Sequence, residues 1–204
     1  MADKIVIDIF RLKTPEQLSK LFGEKDSKLE VGSAAAMSAA NACALAHRAA
    51  LTAQDTAGDN ERLAYIVRNL EIVRNYMIYL IDEDVKCRTP INRARKEATQ
   101  REIDACTQPA ASICGEIINM MGQCLDLMDE LAVLCPAELL HTVGEAAELA
   151  FSAVRSARLY ILDLVRGCTD ETYCYVTRRE NEIALAQCEK SRDRILEKVE
   201  ASLK

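Results

Sequence analysis

Residues 60–87 read NERLAYIVRNLEIVRNYMIYLIDEDVKC. Leu63, Ile66, Val67, Leu70, Val73, Met77, Leu80 and Ile81 recur at intervals of three and four, which lays apolar side chains along one face of an α-helix. A strand would show strict alternation instead. The stretch therefore predicts a long amphipathic helix in a bundle, and the chain repeats the pattern downstream. Thr89-Pro90 is read as its break, because the residue before proline is pushed out of the α region. A fresh helix is expected over about residues 93–106.

Pro109 kinks or restarts the path, and residues 110–134 carry Ile113, Ile117, Met120, Met121, Cys124, Leu127, Met128 and Leu131 at helical spacing. After Pro136 the stripe from residue 137 to 165 includes Leu140, Val143, Ala147, Ala150, Val154, Ile161 and Leu164, and Gly167 closes it. From about Asp170 to the end a sparser face of Val176, Ile183, Leu185, Ile195, Leu196 and Val199 predicts a helix on the outside of the bundle. Upstream, Thr14-Pro15-Glu16-Gln17 has the cap, first-turn proline and third-position Gln of a helix start, and Gly23 ends that short helix. A charged loop follows. Ser33 is read as the cap of a long helix running to Ala57, in which twelve residues from Ala34 onward are alanine. Such a thin rod lets neighbouring backbones come close, so it belongs at the centre. The opening KIVIDIF, residues 4–10, reads equally as a short strand or as an extended arm lying on a partner.

Across 204 residues there are only 7 Gly, 4 Pro and 4% aromatic side chains, too little material for turns and sheets. The expected fold is all-α, a helical bundle with a long Ala-rich central helix, in one domain over 1–204. A net charge of −6 supplies no basic field for phosphate backbones, so no nucleic acid partner is expected. The uncharged run from Val31 to Ala46 is too short and too weakly apolar to span a bilayer, and no membrane association is expected. Nothing in MADKIVIDIF resembles a secretory signal, and a cytoplasmic location is expected. Nine cysteines, with no CxxC pair and only two histidines, argue against a zinc site and read as small core hydrophobes.

Continuing the stripe of residues 60–87 past Leu80, the next inward position is Asp84, a carboxylate where the pattern asks for a hydrophobe. Desolvation there raises the proton affinity of the acid and suits it to proton transfer near neutral pH. Asp82 points elsewhere. The bland alternative is an acidic helix end, with Asp82, Glu83 and Asp84 paired to Lys86, Arg88 or Arg93. Gly32-Ser33, at the start of the Ala-rich helix, offers free N–H groups and a positive dipole end for a carboxylate or oxyanion, or else plain capping. His141, near a helix start, reads as a base or as a capping neighbour.

The run VGSAAAMSAANACALAHRAA, followed about fifty residues later by LIDEDVKC, resembles the cyclodeaminase/cyclohydrolase family that acts on one-carbon tetrahydrofolates. The later block HTVGEAAELAFSAVRSA is similar to that family's as well, so the likeness spans nearly the whole chain. It implies an all-α homodimer enclosing folate pockets. It also implies a ring-opening or deaminating reaction on 5,10-methenyl- or 5-formimino-tetrahydrofolate, without metal or redox cofactor. Asp82 and Asp84 fall on the family's D-x-D pair and are the expected catalytic residues, Asp84 as acid or base and Asp82 orienting it. Gly32, Ser33, Arg93 and His141 are expected at the substrate. Six residues depart from the pattern: the PGGGS turn reads EVGS, so that Glu30 and Val31 replace glycines; Ile91 replaces a lysine; His141-Thr142 replaces a Ser-Asp pair; and Tyr160 replaces an asparagine. Hydrolysis of the methenyl form is favoured, since no formimino-transferring domain accompanies the sequence. The rival is a diverged helical dimer that binds another ligand or a protein without catalysis; an adaptor with long exposed heptads ranks last.

Overall fold

A computed structural model of the chain describes residues 9–97 and 99–203. Among these residues the regular structure is helical: α1 Pro15–Phe22, α2 Val31–Ala57, α3 Glu61–Glu97, α4 Gln100–Leu134, α5 Leu140–Arg166 and α6 Glu171–Ser202, with 3-10 turns at Phe10–Leu12 and Ala137–Leu139. Most of the KIVIDIF segment lies outside the described residues. The capping box at Thr14 is present, its hydroxyl accepting the Gln17 N–H while the Gln17 side chain accepts from the Thr14 N–H.

The alanine helix is the axis. α2 packs along α3 and α5 and touches α4, and Ala35, Ala36, Ala39, Ala42, Ala46 and Ala50 are without measurable exposure. α5 answers with its own small residues, Ala146, Ala147, Ala150, Ala153 and Ala157. Two rods of methyl groups therefore meet where larger side chains would hold the backbones apart. Outside them, Leu63, Ile66, Leu70, Met77, Ile117, Met121, Leu125, Met128 and Leu131 fill the remaining core. Replacing Ala46 by Leu adds three carbons to a site with no room, and about 3 kcal/mol of destabilisation is expected. A thermal melt checks this: a fall of roughly 6–12 °C is expected for a chain of this size.

Two helix breaks expected from proline are absent. α3 runs through Pro90 and α4 through Pro109. Each proline forfeits one backbone hydrogen bond and would ordinarily stop the helix. Burial on both sides keeps the axis going: Ile91 and Ala94 are buried beyond Pro90, and Thr107, Ala110 and Ala111 around Pro109. Thr89 Oγ1 donates to the Val85 carbonyl at 2.7 Å, so the turn before Pro90 stays hydrogen-bonded. The actual boundary falls at Thr99, which forms a capping box with Glu102.

α6 lies on α4 and α5, as the sparse face predicts; Ile195 and Val199 of that face are buried, but the first half of the helix turns other residues inward. Cys174, Asn181, Cys188, Ser191, Ile195 and Val199 are buried, while Val176 and Ile183 are exposed. Small polar and sulfur side chains let α6 approach closely. No helix among the described residues is long and apolar enough to cross a membrane.

Candidate functional site

Asp84 lies on the inward stripe of α3, which continues through Arg88 and Ile91, and is 1% exposed. Its Oδ2 accepts the backbone N–H of Ser33 at 2.8 Å, and Ser33 Oγ lies at the same distance. Ser33 is the third residue of α2, so this N–H is one of the donors a helix start leaves without an internal partner. The expected cap at Ser33 is thus corrected. α2 begins two residues earlier, Glu30 holds the N-cap position without a side-chain bond, and the acceptor comes from another helix. The α2 terminus binds a carboxylate, and that carboxylate is the protein's own.

Gly32 explains how Asp84 comes so close. A Cβ on residue 32 would lie 2.0 Å from Asp84 Oδ1 and 2.5 Å from its Cγ. Only glycine lets the acid rest against the backbone.

Burial pushes the Asp84 pKa up, against the hydrogen bonds from Ser33 and the positive charge of Arg88. Ser33 can serve either protonation state. Its hydroxyl donates to the ionised carboxylate; when Asp84 holds a proton and donates it to Oγ, the serine hydrogen turns to the Ile81 carbonyl, 3.2 Å away. A buried acid with such a partner can take up and release a proton without breaking the local network.

Asp82 belongs to different surroundings. Two residues back along α3, it is turned about 160° away around the helix. Its Oδ1 accepts the N–H groups of Phe10 and Arg11 at 2.7 and 3.3 Å, and Oδ2 pairs with Arg11 Nη1 at 2.7 Å. It caps the Phe10–Leu12 turn and ties that turn to α3. The two aspartates are therefore not gathered around one point. The bland pairing expected for the acidic triplet applies to Glu83, which meets Lys86 at 2.6 Å.

Arg93 and His141 are also apart from Asp84. Arg93 is nine residues further along α3, on the opposite face by about half a turn, exposed and 3.5 Å from Glu97. His141 is exposed at the start of α5, its ring beside Thr142 at 3.2 Å. It stands about 28 Å along α5 from Tyr160.

What Asp84 does meet are residues the sequence reading noted only as a pairing partner or as departures from a pattern. Arg88, one helical turn on, is 8% exposed and pairs with Glu30. Its guanidinium carbon is 4.0 Å from the centre of the Tyr160 ring, and Asn92 Nδ2 donates to Glu30 at 3.2 Å. Glu30 and Tyr160, two of the departures, thus converge on one arginine. Arg88 Nε, Arg88 Nη1 and the Tyr160 hydroxyl are buried without a hydrogen-bond partner among the described residues. Each such donor costs about 1–3 kcal/mol when left unmade. Burial also pushes the Tyr160 pKa up. The signal for Arg88 was its place four residues after Asp84, on the same helical face.

The fold and the site define an all-α bundle protein with a buried carboxylic acid set against a helix N-terminus. Residues 16–183 match the model of the family described as Formiminotransferase-cyclodeaminase. The chain belongs to that family. Its fold is that of formiminotetrahydrofolate cyclodeaminase from Thermotoga maritima, whose crystal structure superposes with a TM-score of 0.89 at 21% identity, covering 95% of this chain and 98% of that one. No curated protein matches the chain.

Proposed function

We propose that this protein is a folate one-carbon enzyme, hydrolysing 5,10-methenyl-tetrahydrofolate to 10-formyl-tetrahydrofolate or releasing ammonia from 5-formimino-tetrahydrofolate, with Asp84 as acid and base. One observation carries the reading: Asp84 is a buried carboxylate of raised proton affinity whose partner, Ser33, suits it both with and without a proton. Both reactions need a proton moved at a one-carbon centre and its flanking nitrogens, which such a group provides. Asp82 supports Asp84 at a distance by fixing the Phe10–Leu12 turn on α3, and Gly32 and Ser33 hold the acid in place. Following the family resemblance, the enzyme is a cytoplasmic homodimer that uses no metal or redox cofactor, and Arg93 and His141 contact the outer parts of the substrate.

A second reading, a non-catalytic helical dimer binding another ligand, is favoured by Glu30, which stands where the family's turn is glycine-rich and covers Arg88. The test is loss of the near-ultraviolet absorbance of 5,10-methenyl-tetrahydrofolate, with ammonia release from the 5-formimino form assayed in parallel. Acceleration of either supports the enzyme; acceleration of neither leaves the binding protein.

A further inference from the structure

Proton transfer by Asp84 makes no use of the three donors beside it. Arg88 Nε, Arg88 Nη1 and the Tyr160 hydroxyl come from two different helices and are buried without acceptors among the described residues. Glu30 and the face of the Tyr160 ring hold the guanidinium in one orientation. Arg88 follows Asp84 by one turn on the same face of α3 and its guanidinium lies over the Tyr160 ring, which gathers the three around one locus. A cluster serving only to stabilise the bundle would have matched these donors with acceptors. Preformed donors next to an acid–base group are the arrangement that stabilises an oxygen on which negative charge develops.

Building on the assignment of Asp84 as the acid and base, we propose that Arg88 and Tyr160 are catalytic donors that bind the oxygen atom at the one-carbon centre, which makes the protein a hydrolase for the methenyl form. Water adds to the methenyl carbon: the C–O bond forms, the C=N π pair moves onto the iminium nitrogen, and Asp84 takes a proton from the water. In the collapse that follows, the carbinol oxygen gives up its remaining proton to solvent and the C=O bond forms. The C–N5 bond breaks, and N5 receives the proton held by Asp84. The balance is methenyl cation plus water giving the 10-formyl product and one proton. Negative charge grows on the carbinol oxygen as its proton leaves, and there the N–H groups of Arg88 and the O–H of Tyr160 find their acceptor. Deamination of the formimino form puts a departing nitrogen in that place. This nitrogen must itself gain protons to leave as ammonia, and it offers poor company to three donors.

Tyr160→Phe is the decisive variant, because it deletes an atom that has no hydrogen-bond partner among the described residues. A merely structural Tyr160 predicts unchanged or slightly higher thermal stability and unchanged kinetics. The proposal predicts the same stability with kcat for methenyl hydrolysis lowered about 100-fold and KM little changed. Arg88→Lys keeps the charge but loses the Nε donor, and a similar fall in kcat is expected. Wild-type kcat in a folded Tyr160→Phe protein overturns the proposal, as does wild-type ammonia release from the formimino substrate that outpaces hydrolysis of the methenyl form. Absence of any turnover by the wild type removes the Asp84 assignment itself, and this inference with it.

Discussion

Gly32→Ala is expected to lower the melting temperature by about 6–12 °C and to remove activity, although the change is one methyl group. Overpacking and the loss of hydrogen bonds to a buried group together amount to about 3 kcal/mol, and a chain of this size loses about 2–4 °C per kcal/mol. The methyl would stand 2.0, 2.5 and 2.8 Å from the three terminal atoms of Asp84. The short aspartate side chain cannot swing clear, since α3 is anchored on both sides of it by Leu80 and Ile91, both buried. Asp84 would have to abandon the N–H and hydroxyl of Ser33 while staying in a dry interior. Gly115→Ala is the internal comparison. A Cβ there meets nothing within 4 Å, and in mid-helix the alanine is expected to stabilise by about 0.5–1 kcal/mol. Thermal melts of the two variants should move in opposite directions. A Gly32→Ala protein that melts with the wild type would show that the carboxylate is free to relocate.

This packing also marks how far the sequence could be read. Where a local pattern sets the structure it was legible: the three-and-four stripe of residues 60–87 gave the helix, its periodicity gave the inward Asp84, and Thr14 to Gln17 gave a complete cap. Where a distant group completes a local feature it was not. Ser33 looks like a cap because serine follows glycine before an alanine run, yet the acceptor that satisfies the α2 terminus is Asp84, from the next helix. Pro90 and Pro109 look like breaks, yet tertiary burial outweighs one lost hydrogen bond at each. On α6 the inward residues include Cys174, Asn181, Cys188 and Ser191, types that an apolar stripe does not register. The offset between Asp82 and Asp84 was visible from helical geometry alone. The partners of Asp82 in the Phe10–Leu12 turn, and the meeting of Glu30, Arg88 and Tyr160, depend on three-dimensional packing between distant stretches of chain.

Asp84→Asn is expected to lower kcat for the folate reaction by about 10²–10⁴-fold, the usual worth of a positioned acid or base, while leaving the bundle folded. The amide is neutral like the protonated acid: with its oxygen in the place of Oδ2 it can accept both the Ser33 N–H and the Ser33 hydroxyl, and its NH₂ takes the place of Oδ1. Stability as a function of pH separates the proton's role from the shape of the site. The native state holds the Asp84 proton more tightly than the unfolded chain, because burial raises its pKa. The favourable contribution is therefore complete below the ordinary carboxylate value of about 4. It is lost as pH rises through the raised native value, since there the folded state binds more protons than the unfolded one. Denaturant midpoints measured across that interval should carry this downward component in the wild type and lack it in Asp84→Asn. Glu30, Arg88 and Tyr160 are the same in both proteins, so the difference between the two curves isolates Asp84. A variant that keeps its turnover would move the acid–base role to another residue, and identical pH curves would show that Asp84 takes up its proton no more readily in the folded protein than in the unfolded chain.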